Sequence, residues 1–432
     1  MLTGRKSGIL LPVFSLPGPY GIGTFGTDAR RFVDFLSEAG QSWWQILPLN
    51  PPGPGNSPYM SPSIFEGNPL FLDPEVLAQK GLLTTKELES CRRDDPDQVD
   101  YDWLRSTRLP LLELAAKRAG EKDFLQQEFL RQWTDLKSYA NKKGVSILGD
   151  LPIYVSPNGK EVAERPELFQ LDSDGSPGRI AGVPPDAFSD VGQLWGNPLY
   201  DWKGHKEETF AWWGERIRHA AGLYDGVRID HFRGIHTYWS VPADAKDARE
   251  GHWEYGPGQA LVDHLAQSAP DLTLIAEDLG DLDAKALDFI ANSGLPGMKV
   301  LLYAFAPSGD SAYLPHNCDK SAVMYTGTHD TPTFVQWLFH EASAEERAFA
   351  IDYLRLREDE GFGWGAVRGA WGSACALAIA PLQDVLGLGA DARLNTPGTM
   401  GPHNWSWRVR TAALNRDVTA QLRHLTKLYQ RL

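Results

Sequence analysis

Cysteine is scarce in this chain, basic charge is outweighed, and long apolar runs are missing. Three cysteines in 432 residues, Cys91, Cys318 and Cys375, are odd in number and widely spaced. That supports neither a disulfide framework nor a zinc site. No apolar stretch approaches the roughly 18 residues that a membrane-spanning helix needs. The basic start MLTGRKSG leads only into a short, proline-interrupted apolar run without a small-residue cleavage site. No signal peptide is expected, and the expectation is a cytoplasmic protein. With 42 Lys and Arg against 56 Asp and Glu, the net charge is −14, which excludes the basic footprint of a nucleic-acid binder. HExxH, CxxC and GxSxG do not occur, so metal hydrolysis and serine or cysteine nucleophiles find no support.

Aromatic residues, by contrast, are plentiful. Fifteen tryptophans include Trp195 in GQLWGNP, Trp253 in HWEYG, and Trp405 and Trp407 in NWSWR. Core packing accounts for most tryptophans. Those in polar, Pro/Gly-rich segments fit sugar rings, whose C–H faces lie flat on aromatic surfaces.

Apolar runs alternate with helical stretches, the pattern of βα units and a parallel sheet. GILLPV (8–13), SWWQILPL (42–49), VSILGDLP (145–152), YDGVRID (224–230), LTLIAED (272–278), GMKVLLYAF (297–305), AVMYTGTHD (322–330) and a strand within LAIAPLQDVLGLG (377–389) give eight candidates. Helices are predicted at 28–39, 124–143 and 208–221. The fold class is therefore α/β, a (β/α)8 TIM barrel with subdomains inserted in its βα loops. One catalytic domain spans 1–432, with a helical insertion at about 51–120 after strand two. A loop-rich insertion follows strand three at about 154–205.

Three motifs have plainer explanations. GIGTFG (21–26) matches a dinucleotide fingerprint, but PGPY separates it from the strand and strand two ends in LPLNPP instead of an acid. LDSDGSPG (171–178) begins like a calcium loop but has Pro177 where glycine is required and no closing glutamate. The NWS sequon at 404–406 means nothing in a cytoplasmic chain.

Three carboxylates are different. GVRIDHF (226–232), IAEDLG (275–280) and TGTHDT (326–331) set Asp230, Glu277 and Asp330 at the C-terminal ends of three strands, the face where barrels gather catalytic side chains. Ionised groups are costly to bury without a use. Alternation puts Arg228 on the same face as Asp230, where a cation lowers the aspartate's pKa. Glycosidic-bond chemistry needs such a set. Asp230 would attack the anomeric carbon, Glu277 would protonate the leaving oxygen and then act as base, and Asp330 with His329 would grip ring hydroxyls. A structural Arg–Asp pair is the bland alternative for Arg228 and Asp230.

These segments, with LPVFSLPGPYGIGTFG, WWQILPLNP, GNSPYMS, GDLPIYV, GVPPDAFSDVGQLWGNPLYDW and NTPGTMGPHNWSWR, resemble the 4-α-glucanotransferases (amylomaltases, disproportionating enzymes) of the α-amylase clan. The likeness runs over nearly the whole chain. It implies Asp230 as nucleophile, Glu277 as general acid/base and Asp330 as transition-state stabiliser. It further implies substrate contacts from Tyr59, Asp150, Arg228 and His329, from Asp186, Gln193, Trp195 and His231 on the acceptor side, and from Asn395. It implies maltooligosaccharides and α-1,4-glucans as partners, no cofactor, no metal, no nucleic acid and no membrane. One departure is clear: THDTPT replaces the family's usual THDNDT, so Pro332 stands where an acid is customary. Hydrolysis of α-1,4-glucans by the same residues is the alternative function; a glucan-binding protein with a dead site is the third, opposed by the intact acids.

Overall fold

The computed structural model describes residues 4–93, 97–185, 189–280 and 282–432. The described residues form twelve strands: β1 (Lys6–Leu10), β2 (Trp43–Gln45), β3 (Ser146–Leu151), β4 (Arg179–Val183), β5 (Gln193–Pro198), β6 (Gly226–Ile229), β7 (Thr237–Pro242), β8 (His252–Tyr255), β9 (Thr273–Ala276), β10 (Met298–Val300), β11 (Val323–Tyr325) and β12 (Leu377–Pro381). Eight of them form one sheet in the order β10-β11-β12-β1-β2-β3-β6-β9. They are the eight predicted from sequence, each shorter than its apolar run. Neighbours run parallel, for example Ile9 opposite Ala380 and Trp44, and Arg228 opposite Ile275. Eight parallel strands with helical crossovers make a (β/α)8 barrel.

By internal contacts the chain forms two compact units, one of residues 1–49, 67–148 and 299–432, the other of 50–66 and 149–298. The first holds β1, β2, β11 and β12. Its strands are apolar on both faces and almost wholly buried, β12 completely so, as expected of a parallel sheet covered by helices. The predicted helices appear as Thr27–Glu38 and Phe124–Lys142. The glycines of GIGTFG serve packing: a Cβ on Gly23 would lie 1.8 Å from the Val13 carbonyl oxygen, and one on Gly26 would lie 1.9 Å from an Asp73 carboxylate oxygen.

The second unit holds β6 and β9 and a four-stranded antiparallel sheet in the order β5-β4-β7-β8. The loop-rich stretch 154–205 contributes β4 and β5, and none of these four strands was foreseen. RIAGV and QLWGNP are short and broken by Gly and Pro, and their burial is partial, so no period-two pattern marks them. The predicted 208–221 helix runs Lys206–Leu223. It buries Arg216, whose guanidinium lies 4.2 Å from the Trp213 ring centre and donates to the Ile153 carbonyl at 3.1 Å. Among the described residues no helix is long and apolar enough to cross a membrane.

Candidate active site

In the second unit, the parallel ladder continues past the ends of its strands. Asp230 N–H donates to the Leu151 carbonyl at 3.1 Å, and Glu277 N–H donates to the Ile229 carbonyl at 3.1 Å. With Ile229 opposite Ala276, Asp230 and Glu277 fall at the same level of adjacent strands, and in-register neighbours share a face. Asp150, in β3, is buried.

Arg228 ties these acids together. Its side chain is 2% exposed and reaches Asp150 at 2.7 Å, Asp230 at 3.0 Å and Glu277 at 2.9 Å. Tyr59 donates its hydroxyl to Asp150 at 2.8 Å and accepts from Arg228 at 3.3 Å. Burial disfavours the guanidinium's charge, but Asp150, Glu277, Tyr59 and Asp230 outweigh it and hold Arg228 well above the ordinary arginine range. Asp230 behaves differently from the sequence expectation. Arg228 does lower its pKa, yet burial and then Glu277 dominate and push the carboxyl well above the usual range. Glu277 is a hydrogen-bond partner of Asp230. Two carboxyl groups in such contact titrate as a pair and favour holding one proton between them.

The backbone beside the nucleophile candidate is strained. His231 has φ +43°, uncommon for a residue with a Cβ. That turn aims its N–H at a Glu277 carboxylate oxygen, 2.6 Å away. The His231 ring stands edge-on to Trp195, with ring centres 4.8 Å apart. Burial lowers its pKa to about 4, so the imidazole is neutral at ordinary pH. Trp195 is half-buried, and its indole N–H donates to Gln193 at 3.2 Å. Asp186 lies outside the described residues.

The first unit carries the other predicted residues. Asp330 follows β11, its side chain 39% exposed. Asn395 donates to one carboxylate oxygen at 2.7 Å, and His329 lies 3.2 Å from the other. Arg393 donates to the Asp330 backbone carbonyl at 3.1 Å. The His329 ring centre is 5.9 Å from that of Trp405. Pro332 follows a turn in which the Thr331 hydroxyl accepts from Thr328 N–H at 2.9 Å and donates to the Thr328 carbonyl at 3.2 Å.

The structure thus gathers Tyr59, Asp150, Arg228, Asp230, His231 and Glu277 in one cluster, with Gln193 and Trp195 adjoining His231. It gathers His329, Asp330 and Asn395 in a second. No sequence motif marks Arg393, which holds the Asp330 carbonyl. Of the four tryptophans expected to face sugar, Trp405 and Trp407 are buried, whereas Trp253 is 37% exposed, with the Arg233 guanidinium at 3.7 Å and Trp239 at 5.0 Å.

A family model described as 4-alpha-glucanotransferase matches residues 11–124 and 119–414. The 4-alpha-glucanotransferase of Clostridium butyricum is 38% identical over 97% of this chain and 99% of its own length. That of Thermus thermophilus is 36% identical over 99% of each chain. An amylomaltase from Streptococcus agalactiae, solved in complex with acarbose, superposes with a TM-score of 0.94 at 37% identity, covering 99% of both chains. The Corynebacterium glutamicum amylomaltase, at 19% identity and a TM-score of 0.81 over 98% of this chain and 75% of its own, shares the fold. This chain belongs to the 4-alpha-glucanotransferase family.

Proposed function

We propose that this protein transfers α-1,4-glucan segments between maltooligosaccharides by a retaining double displacement. The observation that carries the proposal is the Arg228 hub, which holds Asp230 and Glu277 in hydrogen-bonding contact. Retaining enzymes keep their two carboxyl groups roughly 5–5.5 Å apart, whereas inverting ones separate them by roughly 6.5–9.5 Å to admit water. A directly hydrogen-bonded pair falls on the retaining side.

In the first half-reaction Asp230 attacks the anomeric carbon. Glu277 gives its proton to the departing glycosidic oxygen, and a covalent glucosyl–Asp230 ester remains. In the second, Glu277 removes the proton from the 4-hydroxyl of an acceptor sugar, whose oxygen displaces Asp230 and restores the α-linkage. Arg228 keeps Asp230 oriented and stabilises the carboxylate when it departs. Asp330, oriented by Asn395 and His329, accepts from sugar hydroxyls as positive charge develops on the ring. Tyr59 and Asp150 fix the Arg228 fork. Asp186, Gln193, Trp195 and His231 serve the acceptor side, where the Trp195–His231 pair shields the ester from water.

Transfer is preferred to hydrolysis on that shielding, and no cofactor or metal is required. A cytoplasmic setting accompanies the proposal. Incubation with maltotriose alone tests it. Glucose together with a ladder of longer maltooligosaccharides is expected; glucose and maltose with nothing longer would replace transferase by hydrolase.

A further inference from the structure

One buried carboxylate in the first unit makes no contact with substrate in the mechanism above, yet it grips the segment that carries Asp330. Asp384 is 1% exposed and lies in the short helix Leu382–Val385 directly after β12. One of its oxygens accepts from the Thr326 hydroxyl at 2.6 Å, the other from Phe334 N–H at 2.7 Å. Thr326 is the first residue after β11, and Phe334 opens the helix Phe334–Gln336. The residues between them include His329, Asp330 and Pro332, so a single side chain pins both ends of that loop.

Its neighbour holds the opposite side of the same arrangement. Gln383 is 2% exposed and donates to the Ala392 carbonyl at 3.1 Å. Ala392 directly precedes Arg393, which holds the Asp330 carbonyl, and lies three residues before Asn395, which holds the Asp330 carboxylate. Consecutive side chains therefore anchor the two segments whose relative position sets the Asp330–Asn395 contact. Burial pushes the Asp384 carboxyl up, and these two hydrogen bonds draw it down. An ionised carboxylate is costly to bury, so these two bonds call for a use.

We infer that Asp384 is a positioning residue for Asp330, clasping both ends of its segment while Gln383 anchors the chain that supplies Arg393 and Asn395. The inference rests on the role proposed above for Asp330. Asp384→Ala removes both acceptors and frees the loop ends. The kcat for maltotriose disproportionation is expected to fall about 10-fold to 100-fold, as for loss of an interaction that matters in the transition state, with KM within about twofold. Asp384→Asn can accept from Phe334 N–H and donate to the Thr326 oxygen, so it is expected to stay within about threefold of wild type. Thr326→Val, which deletes one bond and keeps the shape, is expected to fall between them and covers the case of an Ala variant that does not fold.

A double-mutant cycle supplies the decisive readout, with a glucosyl fluoride as donor because its leaving group needs no protonation. In an Asp330→Ala background, Asp384→Ala or Thr326→Val is expected to change the residual rate less than about twofold, since its route of action is gone. An equal fall in both backgrounds would assign Asp384 a purely structural role and overturn the inference. An Asp330→Ala enzyme with wild-type rate would instead overturn the role of Asp330 itself. An inactive Asp330→Ala beside a fully active Asp384→Ala would overturn the positioning inference alone.

Discussion

Replacing Arg228 by methionine removes the guanidinium that faces Asp150, Asp230 and Glu277 at 2.7, 3.0 and 2.9 Å. Methionine fills similar volume, so the change is mainly electrostatic. At about 3 Å and an effective dielectric near 20, each ion pair is worth on the order of 5 kcal/mol before desolvation. Removing one partner of a buried pair costs about 3–5 kcal/mol. If about 3 kcal/mol of that is felt in the transition state, kcat/KM falls at least about 100-fold. The pH dependence has a definite sign. Asp230 must be ionised to attack, and Arg228 is the influence that lowers its pKa against burial and Glu277. Without it the pKa rises further, so the acid limb of kcat/KM moves to higher pH. Initial rates of glucose release from maltotriose between pH 4 and pH 9, with Arg228→Lys alongside, give the profile. A Met variant within tenfold of wild type and with an unmoved acid limb would refute the assignment of Arg228 as the hub of the pair.

Three further outcomes are expected. Tyr59→Phe deletes a donor to Asp150 and an acceptor for Arg228; loss of about 1–1.5 kcal/mol lowers kcat/KM about 5- to 10-fold, read from maltotriose kinetics. Trp195→Ala removes the ring against His231, and the ratio of reducing ends released to segments transferred is expected to rise several-fold. Asp384, pushed up to about 6 by burial, contributes stability that is present below about pH 4 and lost as pH rises through 6. Asp384→Asn is then expected to be about 2–3 kcal/mol more stable than wild type at pH 8 and no different at pH 4, a contrast that calorimetric melting at the two pH values would reveal.

The barrel was legible because its strands are short apolar runs with β-branched residues between helical stretches, and their order in the chain leaves few parallel topologies. Asp230 and Glu277 were legible for a related reason: a carboxylate directly after a buried run marks a strand end. The antiparallel sheet of β4, β5, β7 and β8 was not, because its short strands mix polar residues, Gly or Pro with apolar ones and carry neither continuous apolarity nor alternation. The positive φ of His231 is equally invisible in sequence, since nothing in RIDHF distinguishes a strained turn from a regular one. Asp384 was hidden by context: in LAIAPLQDVLGLG it reads as a polar end to the last strand, and only the tertiary hydrogen bonds to Thr326 and Phe334 give it meaning. The Arg228 field was foreseen in direction but not in rank. Burial, which outranks it, depends on the surrounding fold and not on the neighbouring residue.

Trapping the covalent intermediate separates the role of Asp230, which forms it, from that of Glu277, which moves the protons. Glu277→Gln protein is mixed with maltosyl fluoride, which can glycosylate the enzyme without an acid catalyst, but water or acceptor attack then lacks its base. The quenched protein is weighed intact and digested at low pH. A mass gain of one maltosyl group is expected, localised to the peptide containing Asp230. An adduct on the Asp330 peptide, or complete turnover with no adduct and full product release, would contradict those roles.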